Sequence, residues 1–256
     1  MEAGLRTPLL DFFRRGEVAR DVRLLAAQGA IAPRPLEQLG LLMFLATDAD
    51  AEIRETAERT LSRIPEELIG GFIARSDVPT EMREFFVRRG IAVAATPAPD
   101  PADPLIDDDP TTDEEGATEE DQGSMVQKLA AMTVPEKVKA AMKGTREMRS
   151  VLIRDPNKLV ALSVLSCPKV TETEVESFAR MGSVSEDVLR TIGHTRAWVK
   201  SYTVVMALVK NAKTPVAMSL TLLNRLNESD VRRISIDRNV PEALRNAARR
   251  KLVTGD

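Results

Sequence analysis

Short helices that open on a proline recur along this chain and constrain its fold more than any other feature. Proline suits the first helical turn, because its missing N–H would have no partner there and its φ angle is already helical. An apolar residue follows within three or four positions. In all but the Pro215 case an acid lies just after the proline, where it interacts favourably with the positive end of the helix dipole. Six prolines fit this pattern: Pro35, Pro65, Pro79, Pro135, Pro215 and Pro241.

Polar side chains that can cap a helix predict further helix starts, at Asp50, Thr171, Ser185 and Ser229. Apolar residues then return every three or four positions, as in the face formed by Ile53, Ala57 and Leu61. No segment alternates polar and apolar residues with a period of two, as a half-buried strand would. The sequence therefore predicts an all-α fold.

A break in composition between residues 93 and 124 divides the chain. This segment carries 11 acids and no base, and after Val93 its only large apolar residues are Leu105 and Ile106. It cannot bury enough apolar surface to offset the loss of backbone entropy, so we expect it to be disordered. The net charge of −3 conceals this division, since residues 1–92 carry a balance of −2 and residues 125–256 a balance of +10.

The expected organisation is an N-terminal helical module at 1–92, a disordered acidic linker at 93–124 and a basic helical module at 125–256. One Cys excludes an internal disulfide and favours a reducing compartment. The start of the chain lacks the basic and apolar regions of a signal peptide, and no apolar run approaches the roughly 20 residues that span a bilayer. We therefore expect a cytoplasmic protein that does not insert into membranes.

Two strings in the basic module carry a family resemblance: Ala207-Leu-Val-Lys-Asn-Ala-Lys-Thr-Pro-Val and Ile236-Asp-Arg-Asn-Val-Pro-Glu-Ala-Leu. Each places Asn shortly before a Pro that leads into a short apolar helix. They resemble variant leucine-rich repeats and their HEAT-like relatives, most clearly over 140–252 and more loosely over 35–90. The resemblance implies two α-solenoid-like modules, HEAT-like at 1–92 and variant leucine-rich-repeat-like at 125–256. It implies a binding scaffold without catalytic residues, although the uneven repeat spacing leaves a plain helical bundle as the alternative.

Residues that carry chemistry are scarce. The single His194 and the single Cys167 are far apart in sequence, so neither has the companions of a zinc site or of a Cys–His nucleophile pair. We expect structural roles for both. Phosphate-binding loops, nucleophile elbows and calcium loops are absent from the sequence. We therefore expect no enzyme activity, no catalytic or metal-binding residues and no cofactor.

Basic residues of the C-terminal module are the candidate partner-binding set. They are Lys137, Lys139, Lys143, Arg146, Arg149, Arg232, Arg233, Arg245, Arg249 and Arg250. A solvated helix face is the ordinary explanation, and a surface for an acidic protein or a nucleic acid is the alternative. Only Phe178, Trp198 and Tyr202 could stack on bases there, so nucleic-acid binding would depend on phosphate contacts.

The chain has two pairs of adjacent phenylalanines, Phe12-Phe13 and Phe85-Phe86. The two members of a pair cannot both lie on one narrow helix face. Burial in a terminal helix explains them, but one Phe of a pair could instead be exposed as an anchor for a partner. The sequence as a whole predicts a non-catalytic protein–protein interaction scaffold or regulatory adaptor. A nucleic-acid-associated protein that binds the phosphate backbone through the basic module is the alternative.

Overall fold

A computed structural model describes residues 7–31, 34–98, 105 and 119–254. Over these residues it has sixteen α-helices, one 3-10 helix and no strand, which confirms the predicted all-α class. The middle of the predicted linker, residues 99–104 and 106–118, lies outside the described residues, so its predicted disorder stays a prediction.

The chain forms two compact units. The first comprises residues 1–149 with 166–168, and the second comprises 150–165 with 169–256. The boundary therefore falls inside a helix near residue 150, whereas the sequence-based division placed it in the acidic segment. The difference arises because residues 125–149 pack with the first unit, a tertiary contact that composition does not encode.

Helices of the first unit are short, and five of them begin at or next to a predicted start, namely Pro35, Asp50, Pro65, Pro79 or Pro135. They are α1 (Pro8–Arg14), α2 (Arg20–Ala27), α3 (Pro35–Leu45), α4 (Ala51–Arg63), α5 (Glu66–Ile73), α6 (Thr80–Arg88), α7 (Glu119–Ala131) and α8 (Val134–Lys143). Helix α9 (Arg146–Leu152) contains the boundary between the units. The helices of the second unit are α10 (Lys158–Ser166), α11 (Glu172–Arg180), α12 (Glu186–His194), the 3-10 helix Trp198–Lys200, α13 (Tyr202–Lys210), α14 (Val216–Leu223), α15 (Glu228–Ile236) and α16 (Glu242–Thr254).

Most predicted helix starts are confirmed, and one is wrong. Asp50 caps α4 by accepting a hydrogen bond from the Glu52 N–H, and Thr171 forms a capping box with Glu174 at α11. The cap of α15 is Asn227, which accepts from the Asp230 N–H, so the predicted cap Ser229 instead lies inside that helix. Both side chains can cap a helix, and the earlier start adds two residues to the first turn.

The core of the first unit lies between α2, α3 and α4. The predicted face of α4 is buried, with Ile53 and Ala57 fully inaccessible and Leu61 6% exposed. Helices α1 and α6 pack on α3, and α8 packs on α2. Burial of a side chain such as Ile53 or Leu61 contributes about 1.5–3 kcal/mol, so this face stabilises the association of the helices.

A pair of glycines in α5 lets an extended segment lie against that helix. The Ala94 N–H donates to the Gly70 carbonyl at 3.1 Å, and the Ala98 N–H donates to the Gly71 carbonyl at 2.9 Å. A Cβ atom on Gly70 would lie 2.5 Å from the Ala92 carbonyl oxygen, which only glycine avoids. The segment therefore adds a second donor to the Gly70 carbonyl, which also accepts from the Ala74 N–H, and supplies a donor to the Gly71 carbonyl in the last turn of α5.

Both ends of the predicted linker consequently have structure. Residues 93–98 lie along α5, and α7 already begins at Glu119. Between them, the Leu105 N–H donates to the Gln38 side-chain oxygen of α3 at 2.8 Å. Composition missed the first contact because an extended backbone can gain stability from a glycine surface without burying large side chains of its own.

Pairs of helices repeat through the second unit. Helices α10, α12, α14 and α16 begin at residues 158, 186, 216 and 242, which are intervals of 28, 30 and 26 residues. Asn211 lies at the end of one pair and is buried, 8% exposed. Its amide donates to the carbonyls of Ala179 and Met181 at 2.8 and 3.1 Å, and its Oδ1 accepts from the Lys213 N–H at 3.0 Å. The Asn of the repeat-like string thus joins the end of α13 to the end of α11.

Candidate functional site

The ten predicted partner-binding residues are divided between the two units. Lys137, Lys139, Lys143, Arg146 and Arg149 belong to the first unit, and Arg232, Arg233, Arg245, Arg249 and Arg250 belong to the second.

In the first unit, Arg149 is only 5% exposed. Its Nη1 donates to the Gly144 carbonyl at 2.9 Å and lies 3.9 Å from Cys167 Sγ. Arg149 therefore holds the backbone before α9 and does not present its charge to solvent, although its sequence neighbourhood favoured a surface role. Arg146 is exposed, and Lys137, Lys139 and Lys143 are half-buried.

In the second unit, the basic residues of α15 and α16 make local surface contacts. Arg232 pairs with Glu228 at 2.8 Å and Arg233 with Asp230 at 3.4 Å, on the same helix. Arg249 donates to the Asn246 side-chain oxygen at 3.3 Å. Such exposed pairs contribute only tenths of a kcal/mol. These arginines could therefore leave their present partners and bind another group.

A cationic cleft of about 420 Å³ lies between α2, α4 and α8 of the first unit. One face of α4 supplies most of its polar lining, α2 supplies a largely apolar wall, and α8 supplies one cation. The lining residues are Leu24, Leu25, Gln28, Ala30, Glu52, Thr56, Arg59, Thr60, Arg63 and Lys139. Of the ten predicted residues, Lys139 alone lines this cleft.

The position of α4 explains why its polar face reaches the cleft. Its buried apolar face fixes the rotation of the helix, and the positions beside that face, including Arg59 and Arg63, then open at the edge of the core. Neither arginine is among the residues predicted to bind a partner. Their spacing of four residues, shared by Thr56 and Thr60, was the available signal, because residues at i and i+4 lie side by side.

Arg20 controls the charge at one end of the cleft. Its Nε donates to Asp50 Oδ2 at 2.7 Å, and its Nη2 donates to the carboxylate of the cleft residue Glu52. The same hydrogen bond from Arg20 holds the pKa of Asp50 below its ordinary value. Glu52, the only acid among the described residues that line the cleft, is therefore already compensated.

A second concavity, the apolar groove, has a volume of about 220 Å³ between α1, α3 and α6. It is lined by Leu10, Arg14, Gly40, Met43, Phe44, Thr47, Glu81, Phe85 and Arg88. Met43, Phe44 and Phe85 are half-buried, and Arg14 and Arg88 are exposed. The groove thus has an apolar floor with one arginine on α1 and another on α6.

The two phenylalanine pairs behave differently. Phe12 and Phe13 are both buried, at 5% and 1% exposed, as a terminal helix requires. In the second pair, Phe86 is buried at 1% while Phe85 stays half-buried in the groove. The Phe85 ring packs edge-on to Phe86, with the centroids 5.1 Å apart.

The Arg89 guanidinium packs over the Phe85 ring, 4.4 Å from its centroid, in a cation–π contact. Arg89 is in turn fixed by a hydrogen bond of 2.6 Å to Glu58 Oε2. The ring that lines the groove is therefore held in place.

The buried carboxylate of Glu37 lies outside both concavities. Glu37 of α3 is 7% exposed, and its Oε2 has no hydrogen-bond partner among the described residues. Burial raises the pKa of Glu37, while a hydrogen bond from Thr7 and the charge of Arg34 act in the opposite direction. It is a source of pH-dependent stability in the packing of α1 on α3.

The residues that sequence reasoning weighed for chemistry stand apart. Cys167 is buried, 3% exposed, just after the end of α10. His194 is the exposed last residue of α12. Over the described ranges, no group of three His, Cys, Asp or Glu side chains could hold a metal ion.

Comparison with protein-family models, with curated proteins and with solved structures finds no match to this chain. The resemblance to variant leucine-rich and HEAT-like repeats therefore stays a prediction. Among the helices that the structure describes, none is long and apolar enough to cross a bilayer.

Proposed function

We propose that this protein is a non-catalytic interaction scaffold that binds an amphipathic helix of a partner protein in the apolar groove. The observation that carries the proposal is the half-buried floor of Met43, Phe44 and Phe85 with arginines on opposite sides. Aromatic and Met side chains are enriched at the centres of protein interfaces, and Met adapts its shape to different partners. An apolar floor of this kind fits a helix that presents anchors at positions i, i+3 or i+4.

Charge indicates which helix the groove prefers. Arg14 and Arg88 are exposed at the groove, and Glu81 is the only acid among the described residues of its lining. Arg14 lies 3.7 Å from Glu81, an exposed pair that costs little to separate. The partner helix should therefore carry Asp or Glu beside its apolar anchors, which agrees with the expectation of acidic protein partners.

The wider architecture is part of the same proposal. We infer that the paired helices of the second unit form a degenerate solenoid of the variant leucine-rich-repeat kind, in a cytoplasmic protein. The recurring interval of 26 to 30 residues supports this, as does the asparagine bridge between the ends of α11 and α13. Stacked helix pairs of this type offer long surfaces for binding and need no catalytic residues.

The test selects partner helices on the full chain and then perturbs the groove. A displayed library of amphipathic helical peptides is enriched on the wild-type protein, and the affinity of the selected peptides is measured by fluorescence anisotropy. Met43→Glu should weaken binding about tenfold or more, since it places a charge on an interface anchor. Leu68→Ala, at an exposed apolar residue of α5 that does not line the groove (Leu68 is 48% exposed), is the control and should stay within about twofold. Selected peptides that bind both variants equally would contradict the proposal.

A second candidate function, binding of a nucleic-acid backbone, is favoured by the exposed Arg232, Arg233 and Arg249 of the second unit. Their pairs are weak enough to exchange for phosphate. If these residues bind DNA or RNA, a double variant with Arg232→Ala and Arg233→Ala should have a shallower salt dependence. The magnitude of the slope of log affinity against log salt should fall by about two. Absence of any polyanion binding by the full chain at low salt would remove this alternative.

A further inference from the structure

The cationic cleft has the dimensions and lining of a small-molecule site. Its volume of about 420 Å³ falls within the range of roughly 300–1,000 Å³ that is common for ligand pockets. Three helices form its walls, so it is a concavity and not a stripe of charge along a surface. Its polar groups come from elements distant in sequence, since Arg59 lies on α4 and Lys139 on α8.

The cations of the cleft suit a phosphate group. Arg59 and Arg63 are four residues apart on α4, so their guanidinium groups rise from the same helix face, and Lys139 faces them from α8. A guanidinium offers two parallel N–H donors that match two phosphate oxygens, and a lysine adds a point charge. Arg63 and Lys139 also have other interactions, so a phosphate would join these existing contacts. Arg20 pairs with Glu52, so this acid does not cancel the charge of Arg59.

Neutral groups and an apolar wall complete the lining. Thr56 and the buried Thr60 supply hydroxyl groups from the helix that carries the arginines, and Gln28 at the end of α2 supplies an amide. Leu24 and Leu25 of α2 are half-buried and form an apolar surface. Free phosphate would use only the donors, whereas a molecule with an organic part would also bury the two leucines. Burial of apolar area adds about 25 cal/mol per Å².

We propose that this cleft binds a small organophosphate, with its phosphate on Arg59, Arg63 and Lys139 and its organic part against Leu24 and Leu25. The site is separate from the apolar groove, since the two share no lining residue. Its occupancy therefore does not depend on the protein-binding function proposed above.

The experiment compares two probes of similar charge on the full chain: adenosine diphosphate, which has an organic part, and inorganic pyrophosphate, which has none. Binding is measured by isothermal titration calorimetry at low salt. Adenosine diphosphate should bind at least about fivefold more tightly, because only it reaches the leucine wall. Arg59→Gln should weaken both probes at least about tenfold, because it removes a charged, two-pronged donor. Arg59 is exposed, so this variant should fold normally.

Two matched variants decide between the outcomes. Arg190→Gln makes the same charge change at an exposed arginine of α12, whose side chain is 51% exposed, and should leave both affinities unchanged. Leu25→Ala should reduce the affinity for adenosine diphosphate towards that of pyrophosphate and leave pyrophosphate unaffected. Equal binding of the two probes would overturn the organophosphate class in favour of a simple anion site. Absence of binding at roughly millimolar probe, or equal weakening by Arg190→Gln, would overturn the site itself.

Discussion

Replacement of Gly70 by alanine should release the segment of residues 91–98 from α5. The added Cβ would lie 2.5 Å from the Ala92 carbonyl oxygen, against about 3.4 Å for an ordinary contact. The segment must therefore move by about 0.9 Å, and a hydrogen bond of 3.1 Å between Ala94 and Gly70 would lengthen to about 4.0 Å, at which it no longer holds. Loss of this bond and of the bond between Ala98 and Gly71 costs about 1–3 kcal/mol.

The opposing effect is the helix propensity of alanine, which exceeds that of glycine by about 1 kcal/mol. Helix α5 itself should thus be slightly stabilised while the segment is released, so a global melting temperature is a poor readout. Limited proteolysis is better, because a change of 1–2 kcal/mol in local opening alters the open population about 5- to 30-fold. Thermolysin, which cleaves before large apolar residues, should cut Gly70→Ala faster before Ile91 or Val93 by a factor of that order.

The neighbouring glycine is the control. A Cβ on Gly71 would lie 3.2 Å from the Ala98 Cβ, which a shift of a few tenths of an ångström relieves. Gly71→Ala should therefore leave cleavage unchanged or slow it. If Gly70→Ala were cut no faster than the wild type, or if the two variants behaved alike, the segment would not depend on Gly70 and the argument would fail.

Three further predictions concern stability. Asn211→Ala should lower the free energy of unfolding by about 2–4 kcal/mol in denaturant titrations, since it removes three hydrogen bonds of a buried amide. The control is Asp237→Ala, at a similar turn where the side chain accepts one hydrogen bond from the Asn239 N–H, and it should cost about 1 kcal/mol or less. Equal losses in the two variants would contradict the bridging role of Asn211. The raised pKa of Glu37 means that the folded state binds its proton more tightly, so stability should fall as pH rises from its ordinary pKa of 4.5 to the folded value. Glu37→Gln should remove this fall and be more stable than the wild type at pH 7, and a loss of stability there would refute it. Asp48→Ala should lower the free energy of unfolding by about 2–4 kcal/mol in thermal unfolding, because it leaves Arg23 without the buried carboxylate that it contacts at 2.7 Å. A loss below about 0.5 kcal/mol would show that the pair is screened like a surface pair.

Local features of the fold could be predicted because their causes are local. A proline or an Asp at a helix start acts within one turn, so the beginnings of α3 and α4 follow from Pro35 and Asp50. The buried face of α4 follows in the same way from its period. The error at α15, where Asn227 and not Ser229 is the cap, arises because both residues can cap and only packing chooses between them.

The candidate sites could not be predicted because they depend on contacts between distant elements. Arg59 and Lys139 are 80 residues apart, and nothing in either neighbourhood indicates that α8 packs on α2 beside α4. Charge clustering placed Arg149 with the surface residues, but its burial depends on a carbonyl group at Gly144 that needs a donor. The different fates of Phe85 and Phe86 likewise depend on how α6 is rotated on α3.

The glycine contact on α5 also determines where the first unit can be truncated. A fragment designed from composition would end at residue 92. This boundary removes Ala94 and Ala98, whose N–H groups donate hydrogen bonds to the carbonyls of Gly70 and Gly71. Such a fragment would remove the donor of the Gly71 carbonyl and expose the glycine face of α5, so its local stability would not represent that of the intact protein. A fragment that ends after residue 98 keeps both donors, and one that extends to residue 149 also keeps α8 on α2.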